Sequence, residues 1–382
     1  MKVLIAGGGT GGHIYPGIAV AEELRRLRPD TEFLFVGSDR GLEGRVVPEA
    51  GFALATLPAR GVVRTRWWRL PLAAFWNTVA VFRAFGILRR FRPDVVLGTG
   101  GYVSLPVGVA AWLARRPLLL QEQNSVPGLA NRALSLAAME VHVAFSEARH
   151  YLWRKDRLRL SGNPVRRVIL SGERRTARDR FGLAEAIPTV FVFGGSRGAQ
   201  RLTEAALAAM RLLRGTLECQ YILQTGKEDF PRAKQVVEAA GARAVVMPYV
   251  MQIHEAYAAA DLVVCRAGAM TLAEIAACGV PAILVPFPHS AYDHQVKNAE
   301  SLAERGAATL VLDAELTGER LAQEILRLLR DRETLMRYSA HARTFARPDA
   351  AERIARSLVA WGELGRDAGR PGAAGDARAP EA

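Results

Sequence analysis

The sequence predicts an α/β protein built from two Rossmann-like halves, each around a parallel sheet. Three observations carry that expectation. Short apolar runs with β-branched members alternate with stretches of helical spacing along most of the 382 residues, as parallel sheets require. A strand, a glycine turn and a helix open the chain over residues 3–27. The same order starts again over residues 189–213, after Ser161-Gly162-Asn163-Pro164 reads as a linker. The length leaves room for a core in each half.

The opening motif is Val3-Leu4-Ile5-Ala6, five glycines around Thr10, and then His13. Helical spacing follows over 14–27. Glycines let the backbone pass close to a ligand and adopt positive φ. The helix behind them points free N–H groups and its positive dipole end at the turn, which favours an anion. Gly7, Gly9 and Gly12 match G-x-G-x-x-G. A dinucleotide dehydrogenase also needs an acidic residue closing its second strand. Here the second strand, 32–36, runs into Gly37 and Ser38, and Asp39 comes late. That pattern has no place for an imidazole such as His13 either. A turn that only packs strand on helix is the plainer alternative.

Further strands of the first half are expected over 95–99, 118–122 and 141–144. Gly98, Gly100 and Gly101 make a second glycine turn, and Gln121-Glu122-Gln123-Asn124-Ser125-Val126-Pro127-Gly128 a third loop. Polar groups at the carboxyl ends of parallel strands are where such sheets hold ligands. Between them, residues 67–88 are rich in tryptophan and phenylalanine. Leu72, Phe75, Trp76, Val79 and Phe82 recur at helical spacing, flanked by Arg64, Arg66, Arg69, Arg89 and Arg90. Asn77 and Arg83 disfavour a span, since an arginine at mid-bilayer costs roughly 2.5–3.5 kcal/mol. The stretch is either a core helix under the sheet or a helix lying on a membrane surface.

In the second half, strands are expected over 189–193, 220–224, 244–247, 262–265, 282–285 and 309–311. Gly194-Gly195-Ser196-Arg197-Gly198-Ala199 is its glycine turn, with a helix over 202–213. No G-x-x-x-x-G-K-[ST] occurs, which argues against that class of nucleotide triphosphatase. The loop from Cys265 to Glu274 leaves a buried strand and enters a helix, again favouring an anion. Glu274 is expected in that helix's first turn, either as a dipole-satisfying charge or as an acceptor for both hydroxyls of a ribose. The loop from Pro286 to Ala299 packs His289, Asp293, His294, Gln295 and Asn298 together. Such donors and acceptors suit sugar hydroxyls; a zinc site from His289, Asp293 and His294 is the alternative, without standard ligand spacing. A last helix is expected over 343–362, and a disordered tail over 363–382.

Composition narrows the class. Half the residues are apolar and 23% are charged, an ordinary globular balance. Cys219, Cys265 and Cys278 lack metal spacing and suit a reducing compartment. No signal peptide is expected. The net charge of +13 suits nucleic acid, an anionic membrane or a phosphate-bearing substrate, or reflects an arginine-rich composition alone.

Taken together, GGTGGH, GGYVS, EQN, GNPVR, GGSRGA, CRAGAMTLAE and the HQxxNA segment resemble the MurG family, in order and over nearly the whole chain. Its members work in bacterial cell-wall synthesis, and so in cell shape and division, on the cytoplasmic face of the membrane. They move N-acetylglucosamine from UDP-GlcNAc to lipid I, the undecaprenyl-pyrophosphoryl muramoyl-pentapeptide, and yield lipid II. The resemblance implies a GT-B architecture, two Rossmann-like domains with parallel sheets facing across a cleft. Residues 1–162 with the returning helix would take the acceptor and face the membrane, and residues 163–342 would bind the donor. By motif match, Ser196 and Arg166 would hold the diphosphate, and Val250 would meet uracil through its backbone. Ala269, Met270, Thr271, Leu272, Ala273 and Glu274 would wrap phosphate and ribose, with Glu274 on the diol. Gln295 and Asn124 would read the sugar, beside Thr10, Gly11 and Gly12, and His13 would be the base. His294 departs from the glutamine that some members carry there. The resemblance implies no metal and no cofactor, consistent with the lack of any D-x-D pattern. The implied partners are UDP-GlcNAc, lipid I, an anionic membrane surface and other cell-wall synthesis proteins, with no nucleic acid. A UDP-sugar epimerase of the same form, and an inert nucleotide-sugar sensor or membrane scaffold, are the rival readings.

Overall fold

The computed structural model describes residues 1–39, 41–61, 70–195, 198–290 and 293–367. The chain divides into two units, one of Met1–Arg166 with Arg347–Ala382 and one of Arg167–Ala346. The first unit runs β1 (Lys2–Gly7), α1 (Gly11–Leu27), β2 (Glu32–Ser38), α2 (Glu43–Glu49), β3 (Ala53–Leu57), α3 (Leu70–Phe91), β4 (Val95–Gly100), α4 (Ser104–Leu113), β5 (Leu118–Glu122), α5 (Leu129–Leu134), β6 (Glu140–Val143) and β7 (Leu158–Leu160). Its described strands form a seven-stranded sheet in the order β3-β2-β1-β4-β5-β6-β7, and each recorded pairing is parallel.

The second unit contains α6 (Arg174–Phe181), β8 (Thr189–Phe193), α7 (Gln200–Leu213), β9 (Gln220–Gln224), α8 (Phe230–Ala240), β10 (Ala244–Met247), α9 (Ile253–Ala259), β11 (Leu262–Cys265), α10 (Ala269–Cys278), β12 (Ala282–Leu284), α11 (His294–Ala303), β13 (Ala308–Leu310), α12 (Gly318–Arg330) and α13 (Arg332–Phe345). Its six-stranded parallel sheet has the order β10-β9-β8-β11-β12-β13. Val190 and Val192 meet Leu202, Leu207 and Met210 of α7 and Leu321, Ile325 and Leu328 of α12. Phe191 and Phe193 point the other way, with Tyr257 packed edge-on against both.

The chain then returns to the first unit as α14 (Ala350–Asp367). Strand β1 is buried on both faces, so it reads as a continuous apolar run. Val3 and Ile5 meet Ile14, Ile18 and Leu24 of α1 together with Ile354, Leu358 and Trp361 of α14. Leu4 and Ala6 meet Ala80, Ala84 and Leu88 of α3 and Val107 of α4. Burying each large α14 side chain contributes roughly 1.5–3 kcal/mol.

The expected helix over 343–362 is replaced by two. Residues 343–345 close α13, because Ala346 is extended and Pro348 follows; a residue before or at proline leaves the helical region readily. At the other end, residues 363–367 continue α14 and are not a disordered tail. Arg366 donates to Asp94 Oδ2 at 2.8 Å, and Gly365 lies so close to the Asp94 carbonyl that a Cβ would come within 2.4 Å of it. The tail beyond, 368–382, lies outside the described residues.

Candidate active site

Strand order reverses between β1 and β4 in the first sheet and between β8 and β11 in the second. Such switch points are where open parallel sheets hold ligands. Each glycine turn foreseen from the sequence stands at one of them.

At the first switch point, α1 begins at Gly11 after an extended Thr10 that makes no side-chain cap, and its first turn holds no acid. Thr10 and Gly12 are exposed and Gly11 is half-buried, so the leading N–H groups stay open to a ligand. His13 lies in the first turn. Its Nδ1 is 3.1 Å from the Thr99 carbonyl and 3.0 Å from Gln123 Oε1. Both partners are acceptors, so Nδ1 carries a proton, and in the neutral ring Nε2 is the nitrogen that holds the lone pair. The second glycine turn exists to admit this ring. Gly100 and Gly101 have φ of 96° and 77°. A Cβ on Gly100 would sit 2.9 Å from His13 Nδ1, and one on Gly101 2.3 Å from the Gly8 carbonyl.

A carboxylate not singled out in the sequence supports the first turn. Glu43 of α2 is buried, and its Oε1 accepts from Ser38 N and Ser38 Oγ at 2.6 Å each and from Gly9 N at 3.3 Å. Tyr102 donates to Ser38 Oγ at 3.1 Å. The end of β2 is therefore braced by a buried carboxylate from α2.

Asn124 stands next to Gln123. Glu122 Oε1 accepts from its backbone N at 2.9 Å and its Nδ2 at 3.3 Å, while Oε2 accepts from Asn131 Nδ2 at 2.9 Å. Arg166, expected within the second half, is the last residue of the first unit's leading segment. Its guanidinium stacks 4.7 Å from the Tyr15 ring centroid, and its Nε is buried without a hydrogen-bond partner. Burial raises the Glu22 carboxyl above the usual range, with Arg166 and Arg25 pulling it back.

In the second unit, Ser196 lies outside the described residues. Around it, Gly195 and Gly198 adopt φ of 91° and 79°, and a Cβ on Gly198 would come within 2.2 Å of the Thr225 carbonyl. Gln224, at the end of β9, ties this turn to the next loop. Its Nε2 donates to the Gly195 carbonyl at 2.9 Å and its Oε1 accepts from Val250 N at 2.9 Å. The Val250 N–H is thus engaged inside the protein.

Helix α10 starts at Ala269 behind an extended Gly268, with no acid in its first turn. Ala269, Met270 and Leu272 are buried, while Thr271 and Ala273 are half-buried. Glu274 falls in the second turn, not the first as its spacing suggested, because the helix already begins directly after Gly268. The dipole-charge explanation of Glu274 therefore loses its basis. Its Oε2 accepts from the Tyr257 hydroxyl at 2.9 Å. Burial, reinforced by the Glu274 charge, pushes the Tyr257 phenol well above its usual range, so it stays a donor. Gln295 of α11 accepts at Oε1 from Phe287 N at 2.9 Å, which leaves its Nε2 donor for a ligand. Among the described residues no group of three or more His, Cys, Asp or Glu is arranged to hold a metal ion, so the zinc set is not formed. Burial pushes the Cys278 thiol up to about 12, outside the range of a working nucleophile.

Helix α3 divides its faces. Ala80, Ala84 and Leu88 are buried against the sheet. Leu72, Phe75 and Phe82 are 58%, 60% and 74% exposed, while Trp76 and Val79 are half-buried. Asn77 faces the protein, where it exchanges two hydrogen bonds with the Arg60 backbone at 3.1 and 3.2 Å. Arg64, Arg66, Trp67, Trp68 and Arg69 lie outside the described residues. No helix among the described residues is long and apolar enough to cross a membrane.

Residues 3–143 match the glycosyltransferase family 28 N-terminal domain, and residues 189–354 its C-terminal domain. A Moorella thermoacetica protein named UDP-N-acetylglucosamine–N-acetylmuramyl-(pentapeptide) pyrophosphoryl-undecaprenol N-acetylglucosamine transferase is 43% identical over 371 residues, covering 96% of this chain and 100% of that protein. A Myxococcus xanthus protein of the same name is 43% identical over 378 residues, 96% of each. Among solved structures, the crystal structure of Acinetobacter baumannii MurG has a TM-score of 0.74 at 29% identity, covering 94% of this chain and 99% of that one. A putative UDP-N-acetylglucosamine 2-epimerase from Listeria monocytogenes, at 14% identity and a TM-score of 0.71 over 95% and 97% of the two chains, shares the fold alone.

Proposed function

The chain belongs to the MurG family within glycosyltransferase family 28, and on that premise we propose how its residues divide the work. The enzyme transfers N-acetylglucosamine from UDP-N-acetylglucosamine to the lipid-linked N-acetylmuramyl-pentapeptide. The C4 hydroxyl of the muramoyl sugar attacks the anomeric carbon from the face opposite UDP, which inverts that centre.

One observation carries the catalytic assignment: His13 Nδ1 faces two oxygens, so the Nε2 lone pair is the group that takes the hydroxyl proton. Thr10, Gly11, Gly12 and Asn124 surround the acceptor's reacting end. In the second unit the α10 N-terminus, with Ala269 to Ala273, and Ser196 meet the diphosphate, where negative charge develops as UDP leaves. By motif, Arg166 is the further cation assigned to the diphosphate. The Val250 carbonyl takes the uracil N3–H, since its N–H is engaged by Gln224. Glu274 accepts from the ribose diol, and Gln295 donates to the transferred sugar. The exposed face of α3 rests on an anionic bilayer that holds the acceptor's polyprenyl chain.

The test supplies radiolabelled UDP-N-acetylglucosamine with a short-chain lipid I analogue. Label is expected in the lipid product. Label recovered only as free sugar or as an epimerised nucleotide sugar would overturn the transferase reading.

A further inference from the structure

We propose that Gln123 is a positioning residue for the transfer: it holds the His13 ring with the proton on Nδ1 and the lone pair on Nε2. The inference rests on His13 being the base and adds the device that keeps it ready.

The orientation of the Gln123 amide is decided by what surrounds its nitrogen. Nε2 lies 2.7 Å from the Thr99 carbonyl and 3.3 Å from the Gln121 carbonyl, and also bonds Gln121 Oε1. Three oxygens around one atom require that atom to be the donor. Oε1 must then face His13, at 3.0 Å from Nδ1. Gln121 is fixed in turn, because its Nε2 donates to Asn163 Oδ1 at 3.0 Å while Asn163 Nδ2 donates to the Gln123 carbonyl at 3.0 Å. Gln121, Gln123 and Asn163 are all buried, so the relay is screened from water and each link has one low-energy arrangement. The Asn163 of the apparent linker is thereby the far anchor of the base.

Turning the ring over would place carbon against both oxygens and lose both bonds. The glycine turn at Gly100 and Gly101 closes on the ring's edge and limits that motion. A neutral imidazole in water divides its proton between the two nitrogens; here the wrong tautomer would put an N–H toward the acceptor hydroxyl and leave no base. Glu43, Tyr102 and Glu122 are the titratable groups beside the two glycine turns that hydrogen bonds place among the described residues. Each is engaged elsewhere: Glu43 and Tyr102 on Ser38, and Glu122 on Asn124, Gly128 and Asn131. Gln123 therefore orients the ring without a counter-charge.

The experiment uses the full chain, UDP-N-acetylglucosamine and the short-chain lipid I analogue, with a thermal transition recorded for each variant. Gln123→Glu places a carboxylate against Nδ1–H, which favours the imidazolium. The acid limb of kcat/KM is expected to move up by about one pH unit. Gln123→Leu should lower kcat about tenfold, the scale of lost support behind a catalytic ligand, with the donor KM little changed. His13→Ala, expected to lose roughly 10²–10⁴ in kcat, separates the two readings. Its kcat within a few-fold of the parent would remove the base assignment and this inference with it. A dead His13→Ala beside an unmoved acid limb in Gln123→Glu would overturn the inference alone. Should the Gln123 variants fail to fold, nitrogen NMR of the histidine-labelled parent decides. An Nδ1–H tautomer at alkaline pH supports the proposal, and an Nε2–H tautomer overturns it.

Discussion

The Tyr257 hydroxyl donates to Glu274 Oε2 at 2.9 Å from a position that is itself 1% exposed. One carboxylate oxygen is thus tethered by a neutral phenol wedged edge-on against Phe191 and Phe193. Glu274→Ala should weaken UDP binding by about 1.5–3 kcal/mol, the range for hydrogen bonds to a charged group. Tyr257→Phe should weaken it less, roughly threefold to tenfold, since the carboxylate remains but loses its tether. Calorimetry with UDP and 2′-deoxy-UDP checks the assignment. The parent should prefer UDP, Glu274→Ala should hardly distinguish the two, and Tyr257→Phe should fall between. Undiminished preference in Glu274→Ala would show that the diol is read elsewhere.

Glu43 holds the first glycine turn by accepting from Ser38 and Gly9 in a buried setting. Removing it leaves buried donors without partners, at about 1–3 kcal/mol for each such group. Glu43→Ala should therefore lower unfolding stability by roughly 3 kcal/mol. Glu43→Gln keeps one acceptor oxygen and should lose less than half of that. Urea denaturation measures both; an unchanged midpoint for the alanine variant would mean the turn holds itself.

A second carboxylate gives stability a pH dependence. Burial alone would raise Glu140, but His142, whose Nε2 lies 3.4 Å from Oε2, and the charge of Arg159, 3.7 Å from Oε1, hold its carboxyl below the usual range. A carboxyl depressed in the folded state stabilises above its unfolded pKa, about 4.3, and that contribution fades as pH falls through the folded value. Glu140→Gln should cost roughly 1 kcal/mol at pH 7, limited by solvent screening at Arg159. The gap between parent and variant should close as the pH falls below about 4. Parallel stability curves down to pH 3 would remove this pair from the acid limb.

Where the chain's logic is local, the sequence shows it. Residues 118–122, 189–193, 220–224, 244–247 and 262–265 are strands with the bounds expected of them, because continuous apolar runs between turn residues leave few alternatives. Strand β3, Ala53–Leu57, and strand β7, Leu158–Leu160, were not foreseen. The first is alanine-rich and the second has three residues with an arginine at its centre, so neither carries a strong strand signal. They form by pairing to neighbours that are already set. The glycine turns and His13 were legible, but the reason for Gly100 and Gly101 was not, since it is an imidazole from another segment. Gln123 meets Thr99 and His13 from 24 and 110 residues away, and Tyr257, Gln224 and Glu43 meet partners that only the fold aims at them. No periodicity encodes such meetings.

The face of α3 offers the last test. Leu72, Phe75 and Phe82 stand in solvent, while Ala80, Ala84 and Leu88 make the contact with the sheet. The residues that read as a candidate core stripe are therefore largely outside it, and this exposed apolar row is the surface proposed to meet the bilayer. Arg83, Arg89 and Arg90 are exposed on the same helix, and each arginine near an anionic surface adds roughly 1 kcal/mol. Phe75→Ser with Phe82→Ser should abolish flotation on anionic vesicles. It should leave the melting transition within about 0.5 kcal/mol of the parent, as surface substitutions do. Turnover of a water-soluble acceptor analogue should be kept. Ala84→Glu, by contrast, forces a charge into the buried side and should collapse the melting transition. Binding by the parent should weaken with salt, because the arginine attraction is screened within about 10 Å at 0.1 M. Flotation of the double variant equal to the parent's would refute the docking face, and a collapsed transition in that variant would return these phenylalanines to the core.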